Sequence, residues 1–82
     1  MDGYFVYAIK SAMDGRIYIG ITNNLMRRID EHNNGHTRST KAYAPWTLVH
    51  IEKMRNRIEA RKREKYLKSG CGKEFIKSFI PR

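Results

Sequence analysis

Two β-type runs meet across an Asp-Gly dipeptide near the start of the chain, and any fold for this sequence has to accommodate the hairpin they imply. The first run, "YFVYAIK" at 4–10, is rich in aromatic and β-branched residues, which suit a pleated, half-buried strand. The second, Arg16 to Ile21, alternates Ile17, Ile19 and Ile21 with Arg16, Tyr18 and Gly20. One face of the sheet is therefore strongly apolar and the other partly polar. Asp14-Gly15 is favoured in two-residue turns because both central positions need positive φ. With that turn Met13 pairs with Arg16, Tyr7 lies opposite Thr22, and Tyr18 lies opposite Ser11. Tyr7, Ile9, Tyr18 and Gly20 then share one face, with the two tyrosines offset along the strands by about 13 Å.

Thr22-Asn23-Asn24 supplies helix-capping side chains, and Gly35 after Asn33-Asn34 supplies a stop, which frames a first helix at about 24–33. A polar loop, "GHTRSTKAYAP", leads to a third alternating strand from Trp46 to Lys53. A second helix is expected at about 56–68, bounded by Asn56 and Gly70. In the tail from Lys73, Phe75, Ile76, Phe79 and Ile80 fall on one face of a short closing helix before Pro81. The order ββαβαα predicts an α+β fold, a small three-stranded antiparallel sheet flanked by helices. At 82 residues, 1–82 is expected to be a single domain, since a core of this size buries only about 60–65% of the unfolded chain's surface. The lone Cys71 excludes an internal disulfide and a cysteine-based metal site, and reads as a small apolar residue at a helix end. With no signal-peptide layout, no spanning apolar run and no lipidation start, the chain is expected in the cytoplasm and off the membrane.

Seventeen Lys and Arg against eight Asp and Glu give a net charge of +9, which favours a polyanionic partner, nucleic acid first. Some polar residues nevertheless point inward. On the first helix Leu25, Ile29 and His32 fall at i, i+4 and i+7, with Arg28 beside that stripe, while Arg27 and Arg16 face water. On the second, Ala60, Glu64 and Leu67 repeat the spacing, so a carboxylate occupies the centre of an inward face. A buried carboxylate demands a cation. Two readings stay open at this point: Arg28 and Glu64 form a buried ion pair joining the helices, or both belong to a site shared with the tyrosines. Gly20 is structural in either case, permitting a sharp strand-to-helix passage or a close approach.

Tyr7 in "FVYAIK", "YIG" at 18–20, Arg28 and His32 in an R-x-x-x-H helix, and Glu64 in "KREKYLK" resemble the GIY-YIG nuclease family, its short stand-alone bacterial members above all. The resemblance extends over nearly the whole chain, through "EHNNGHTRSTKAYAPW" and "LKSGCGKEFIKSFI". It implies cleavage of nucleic-acid phosphodiesters with one divalent ion, Mg²⁺ or Mn²⁺, held by Glu64. By the same resemblance Arg28 contacts the scissile phosphate, Tyr7 helps activate the attacking water, and Tyr18 and His32 assist in positioning and proton transfer. Those residue types suit those tasks. One carboxylate plus substrate phosphate can hold a hydrated Mg²⁺, a guanidinium forks phosphate oxygens, and imidazole titrates near neutrality. The chain departs from the family pattern in reading Phe5-Val6-Tyr7 for Gly-Ile-Tyr, and in having no asparagine after Glu64.

Arg38 and Lys41 in the polar loop, with Arg61 and Lys62 on the second helix, are the expected nucleic-acid contacts, although i,i+4 pairs such as Glu59-Arg63 and Glu64-Lys68 account for some of the charge. No helix carries a base-reading pattern, so a preference for structure over sequence is expected, with branched or single-stranded DNA as candidate substrates and RNA open. The leading expectation is a metal-dependent, structure-selective DNA endonuclease with a role in repair or processing. The alternatives are a catalytically weak nucleic-acid-binding module of the same fold, and a basic RNA-associated protein.

Overall fold

The computed structural model describes residues 3–80, and its elements follow the expected order: β1 (Tyr4–Ser11), β2 (Ile17–Thr22), α1 (Leu25–Asn33), a 3₁₀ turn (Lys41–Tyr43), β3 (Trp46–Met54), α2 (Arg57–Lys68) and α3 (Gly70–Lys77). The sheet is antiparallel throughout in the order β2-β1-β3. The middle place goes to the strand whose Val6, Tyr7, Ala8 and Ile9 are buried on both faces.

One face of the sheet packs Val6, Ala8 and Ile19 against Ala60 and Leu67 of α2 and Ile76 of α3. The other packs Tyr7, Ile9 and Trp46 against Leu25 and Ile29 of α1, with Tyr18, Tyr43 and Leu48. Each large apolar side chain fully buried in this way contributes about 1.5–3 kcal/mol relative to exposure. The helices start where the sequence offers caps. Asn24 Oδ1 accepts from Arg27 N at 3.2 Å, and Asn56 Oδ1 from Glu59 N at 2.9 Å.

Three expectations are corrected. The hairpin does not turn on Asp14-Gly15 alone. Ser11 pairs with Arg16 (Ser11 N to Arg16 O, 2.9 Å), leaving Ala12 to Gly15 as a four-residue loop. Ser11 Oγ accepts from Met13 N at 3.0 Å and from Asp14 N at 3.4 Å, while Gly15 adopts φ 78° and donates to Ser11 O at 2.9 Å. A serine hydroxyl that satisfies loop amides outweighs the local preference of the dipeptide. The strand register moves by two residues, putting Tyr7 opposite Gly20 and Tyr18 opposite Ile9.

The second correction is in β3, whose alternation breaks. The β1–β3 register shifts between Ala8 and Ile9, so Ala8 pairs with His50 but Ile9 with Leu48. The bulge carries His50 and Glu52 to the α2–α3 face. There Glu52 takes both Arg63 Nε (2.6 Å) and Nη2 (3.0 Å), and His50 stacks on Phe79 at 5.4 Å between centroids. Arg63 therefore pairs across to the sheet and not with Glu59, whose partner is Lys62 at 4.0 Å.

The third concerns α3, which begins at Gly70 and not near Lys73, because Ser69 both ends α2 and caps α3 through Gly72 N at 3.2 Å. A Cβ at Gly72 would collide with the Tyr66 carbonyl and Leu67 Cα, which explains a glycine inside a helical turn. Cys71 consequently stands exposed on that first turn.

Candidate active site

The register shift builds the floor of the site. With Gly20 directly across from Tyr7, the phenol ring lies over a residue without a side chain. A Cβ there would stand 2.5 Å from the Tyr7 hydroxyl oxygen and 2.7 Å from Cζ, closer than real Cβ contacts come. Gly20 is thus required by the close approach of a side chain to the backbone. The same shift brings the tyrosines together, with ring centroids 6.5 Å apart.

Helix α1 lays His32 over them. Its ring is fully buried, with Nε2 2.8 Å from the Tyr7 hydroxyl and Nδ1 2.8 Å from Thr40 Oγ1. Tyr18 meets the imidazole edge-on at 5.0 Å between centroids, and Trp46 meets Tyr18 at 6.3 Å. Burial, reinforced by the Arg28 charge and only partly opposed by Glu31, pushes His32 down to about 4. Burial likewise pushes Tyr7 up to about 12 against the pull of the neighbouring Arg28, with Tyr18 and the Glu64 charge adding to the rise. At neutral pH both groups are uncharged, and the phenol holds its proton.

Arg28 is one turn before His32, its side chain 31% exposed, so its charge acts on the Tyr7 hydroxyl while the guanidinium remains open to a ligand. Its carboxylate partner is Glu31, at 2.9 Å on its own helix, which that guanidinium holds below the usual carboxylate range. Glu64 is buried on α2 at 8% exposure, with Lys68 at 3.2 Å and Arg61 at 3.7 Å, both from its own helix. Among the described residues the buried Arg28–Glu64 pair does not form. Each residue finds a partner one turn away, which costs less ordering than a bridge between helices.

No group of three His, Cys, Asp or Glu side chains is gathered for a metal ion among the described residues. Glu64 belongs to no such group, and the side chains paired with it are more than half exposed. One carboxylate with long, displaceable partners fits a hydrated Mg²⁺ or Mn²⁺ that takes its remaining ligands from water and phosphate, and does not fit a closed Zn²⁺ cage. Arg38, Lys41, Arg61 and Lys62 are all exposed, the first two flanking Thr40 and the last two beside Glu64 along α2.

Three residues with a part in the site escape sequence reasoning: Thr40, which holds His32; Trp46, whose Nε1 donates to the Thr40 carbonyl at 2.9 Å; and Asn33, which grips the Trp46 backbone through Trp46 N to Oδ1 at 2.6 Å and Nδ2 to Trp46 O at 3.2 Å. A buried threonine in a polar loop has no periodic signal to mark it.

A family model described as the GIY-YIG catalytic domain matches residues 3–74. Among curated proteins, a UPF0213 protein of Desulfotalea psychrophila is 46% identical over 79% of this chain and 60% of its own length. This chain thus spans less than two thirds of that relative. UPF0213 proteins of Clostridium perfringens and Staphylococcus aureus are 43% and 37% identical, with 69% and 84% of their lengths covered by 78% and 84% of this chain. The solution NMR structure of a UPF0213 protein from Bacillus halodurans is similar at TM-score 0.57 and 30% identity, over 93% of this chain and 83% of that one.

Proposed function

The chain belongs to the GIY-YIG family, and on that footing we propose that residues 1–82 act as one metal-dependent endonuclease domain, hydrolysing phosphodiester bonds in DNA with selectivity for structure over sequence. The observation that carries the reading is the buried Tyr7–His32 hydrogen bond, laid over a glycine that leaves room for it and flanked by Arg28. Ordinary core packing would not place an arginine and two neutralised titratable groups around a space only Gly20 can provide.

In this reading Arg28 forks the oxygens of the scissile phosphate, since a guanidinium stays charged at every working pH. Tyr7 is too weakly acidic to act as a base by itself. A cation held nearby would lower its pKa, and His32 Nε2 is already in place to take or return its proton. Tyr18, edge-on to the imidazole, keeps the ring aligned. Glu64 would hold the divalent ion, displacing Lys68 and Arg61 from its oxygens. Bound there, the ion supplies Lewis-acid stabilisation of phosphoryl charge and makes water more acidic. Arg38, Lys41, Arg61 and Lys62 neutralise flanking phosphates whatever the sequence, so binding weakens as salt rises.

Among the described residues no helix is long and apolar enough to cross a membrane, and a cytoplasmic role in DNA repair or processing suits this chemistry. A second reading, a nucleic-acid-binding module with little catalysis, draws support from the two cations already on Glu64. Labelled single-stranded, duplex, flap and junction DNA, incubated with Mg²⁺ or with chelator beside Glu64→Ala, separates the two. The nuclease reading expects metal-dependent cutting that vanishes in the variant while binding and folding persist. Binding with no cutting on any substrate rejects it in favour of the module.

A further inference from the structure

Thr40 sits in the polar loop after α1, yet it is fully buried, with its hydroxyl 2.8 Å from the outer nitrogen of His32. We infer that Thr40 is a positioning residue that fixes His32 as the Nδ1–H tautomer, so that Nε2 is left bare to accept the proton of the Tyr7 hydroxyl. The functional half of this inference rests on the roles proposed above for Tyr7 and His32, and the structural half does not.

The assignment follows from both ends of the chain of hydrogen bonds. At the inner end, the buried Tyr7 hydroxyl carries one proton and needs an acceptor for it. The Arg28 guanidinium beside it can only donate, and the hydrogen-bonding partner within reach among the described residues is His32 Nε2 at 2.8 Å. A bare Nε2 satisfies that hydroxyl, and a neutral imidazole then bears its hydrogen on Nδ1, where, buried as it is, that hydrogen needs an acceptor of its own. At the outer end, Thr40 Oγ1 lies 3.4 Å from the Thr37 carbonyl, which can only accept. The hydroxyl hydrogen turns that way and a lone pair faces Nδ1–H. The opposite assignment, with Nε2–H donating inward, leaves the phenol proton without an acceptor.

Thr40 is itself held from three directions. Its backbone N–H donates to Thr37 O at 3.1 Å, its carbonyl accepts from Trp46 Nε1 at 2.9 Å, and the Trp46 backbone is clamped by Asn33, the residue after His32. The loop from α1 to β3 is thus tied back to the helix it left, and the tie passes through the imidazole. Such a closed circuit orients a ring more firmly than one contact does.

The test uses the full chain labelled with ¹⁵N-histidine, in wild type, Thr40→Val and Thr40→Ser. Valine keeps the branched shape and removes the hydroxyl, whereas serine keeps the hydroxyl. Long-range ¹H–¹⁵N spectra at neutral pH should give His32 as Nδ1–H in wild type and in Thr40→Ser, and lose that state in Thr40→Val. An Nε2–H ring in wild type overturns the assignment, even if the valine variant fails to fold. An unchanged Nδ1–H ring in a folded Thr40→Val overturns the part given to Thr40. With cleavable DNA, Thr40→Val should lower kcat by about tenfold or more with KM nearly unchanged, towards the low end of what positioned proton transfer contributes, and Thr40→Ser should restore it. A kcat unmoved by loss of the tautomer refutes the positioning role. A wild type that cuts nothing refutes the nuclease reading instead, and the spectra still decide the tautomer.

Discussion

Acidification from pH 7 to pH 5 should weaken this fold through one residue, His32. In the folded chain it is pushed down to about 4 by burial, with the Arg28 charge adding to that push and Glu31 opposing it, while the Tyr7 phenol faces the ring uncharged. In the unfolded chain an imidazole titrates near 6.5. The folded value is the lower one, so as pH falls the unfolded state takes up the proton first. The stability tied to the neutral ring is therefore complete above about pH 6.5 and drains away towards pH 4. Between pH 7 and pH 5 the loss works out at about 2 kcal/mol, and it levels off at about 3 kcal/mol below pH 4. That is a large share of the roughly 4–12 kcal/mol expected for a domain of this length. Asp14, Glu31 and Glu52, held low by Arg16, Arg28 and Arg63, respond in the same sense, the unfolded state again taking the proton first, but in a lower window, losing their contribution as pH falls below the ordinary carboxylate range. Urea unfolding followed by circular dichroism at pH 7, 6 and 5 measures the slope, and His32→Gln isolates it. A flat profile in the wild type, or the same slope in the variant, refutes the reasoning.

Gly20→Ala should destabilise by about 1–3 kcal/mol, because the new methyl must push the Tyr7 ring aside. The variant should also stop cutting DNA while still binding it, which a thermal melt and the cleavage assay read together; near-normal cutting would show that the ring has room to move. Glu52→Gln should cost about 1–2 kcal/mol in urea unfolding, since it removes the charge facing Arg63 and His50. Because Glu52 bonds only His50 and Arg63 among the described residues, and none of Tyr7, Tyr18, Arg28, His32 or Glu64, cleavage by the Glu52 variant should be unchanged.

Where side chains repeat with the period of an element, the sequence was easy to read. Asn24 and Asn56 stand at helix starts, the isoleucines of β2 mark an apolar face, and His32 and Glu64 fall on inward stripes that the structure does bury. The failures share a different cause, in that each depends on a single residue that breaks a local pattern. Ser11 reshapes the hairpin loop, the extra residue at Val49 reverses the parity of β3, and Ser69 starts α3 early. The proposed Arg28–Glu64 pair failed for a related reason. Spacing shows which way a side chain points, but Glu31 and Lys68 one turn away were nearer partners.

The hairpin loop matters most, because the site depends on it from a distance. A two-residue turn at Asp14-Gly15 would set Thr22 opposite Tyr7 and leave the phenol facing a β-branched side chain. The four-residue loop held by Ser11 slides β2 by two positions and places Gly20 there instead. Only then can the Tyr7 hydroxyl lie across the backbone and reach the nitrogen of His32. Ser11 is tied in turn to the other side of the site, since its hydroxyl donates to the Tyr43 carbonyl at 2.6 Å in the 3₁₀ turn that begins one residue after Thr40. The loop that sets the register under Tyr7 and the loop that orients His32 are therefore joined, by this bond and by Ala12 N donating to Pro45 O at 2.9 Å. The tyrosine and the histidine are positioned together, by residues that carry no chemistry of their own.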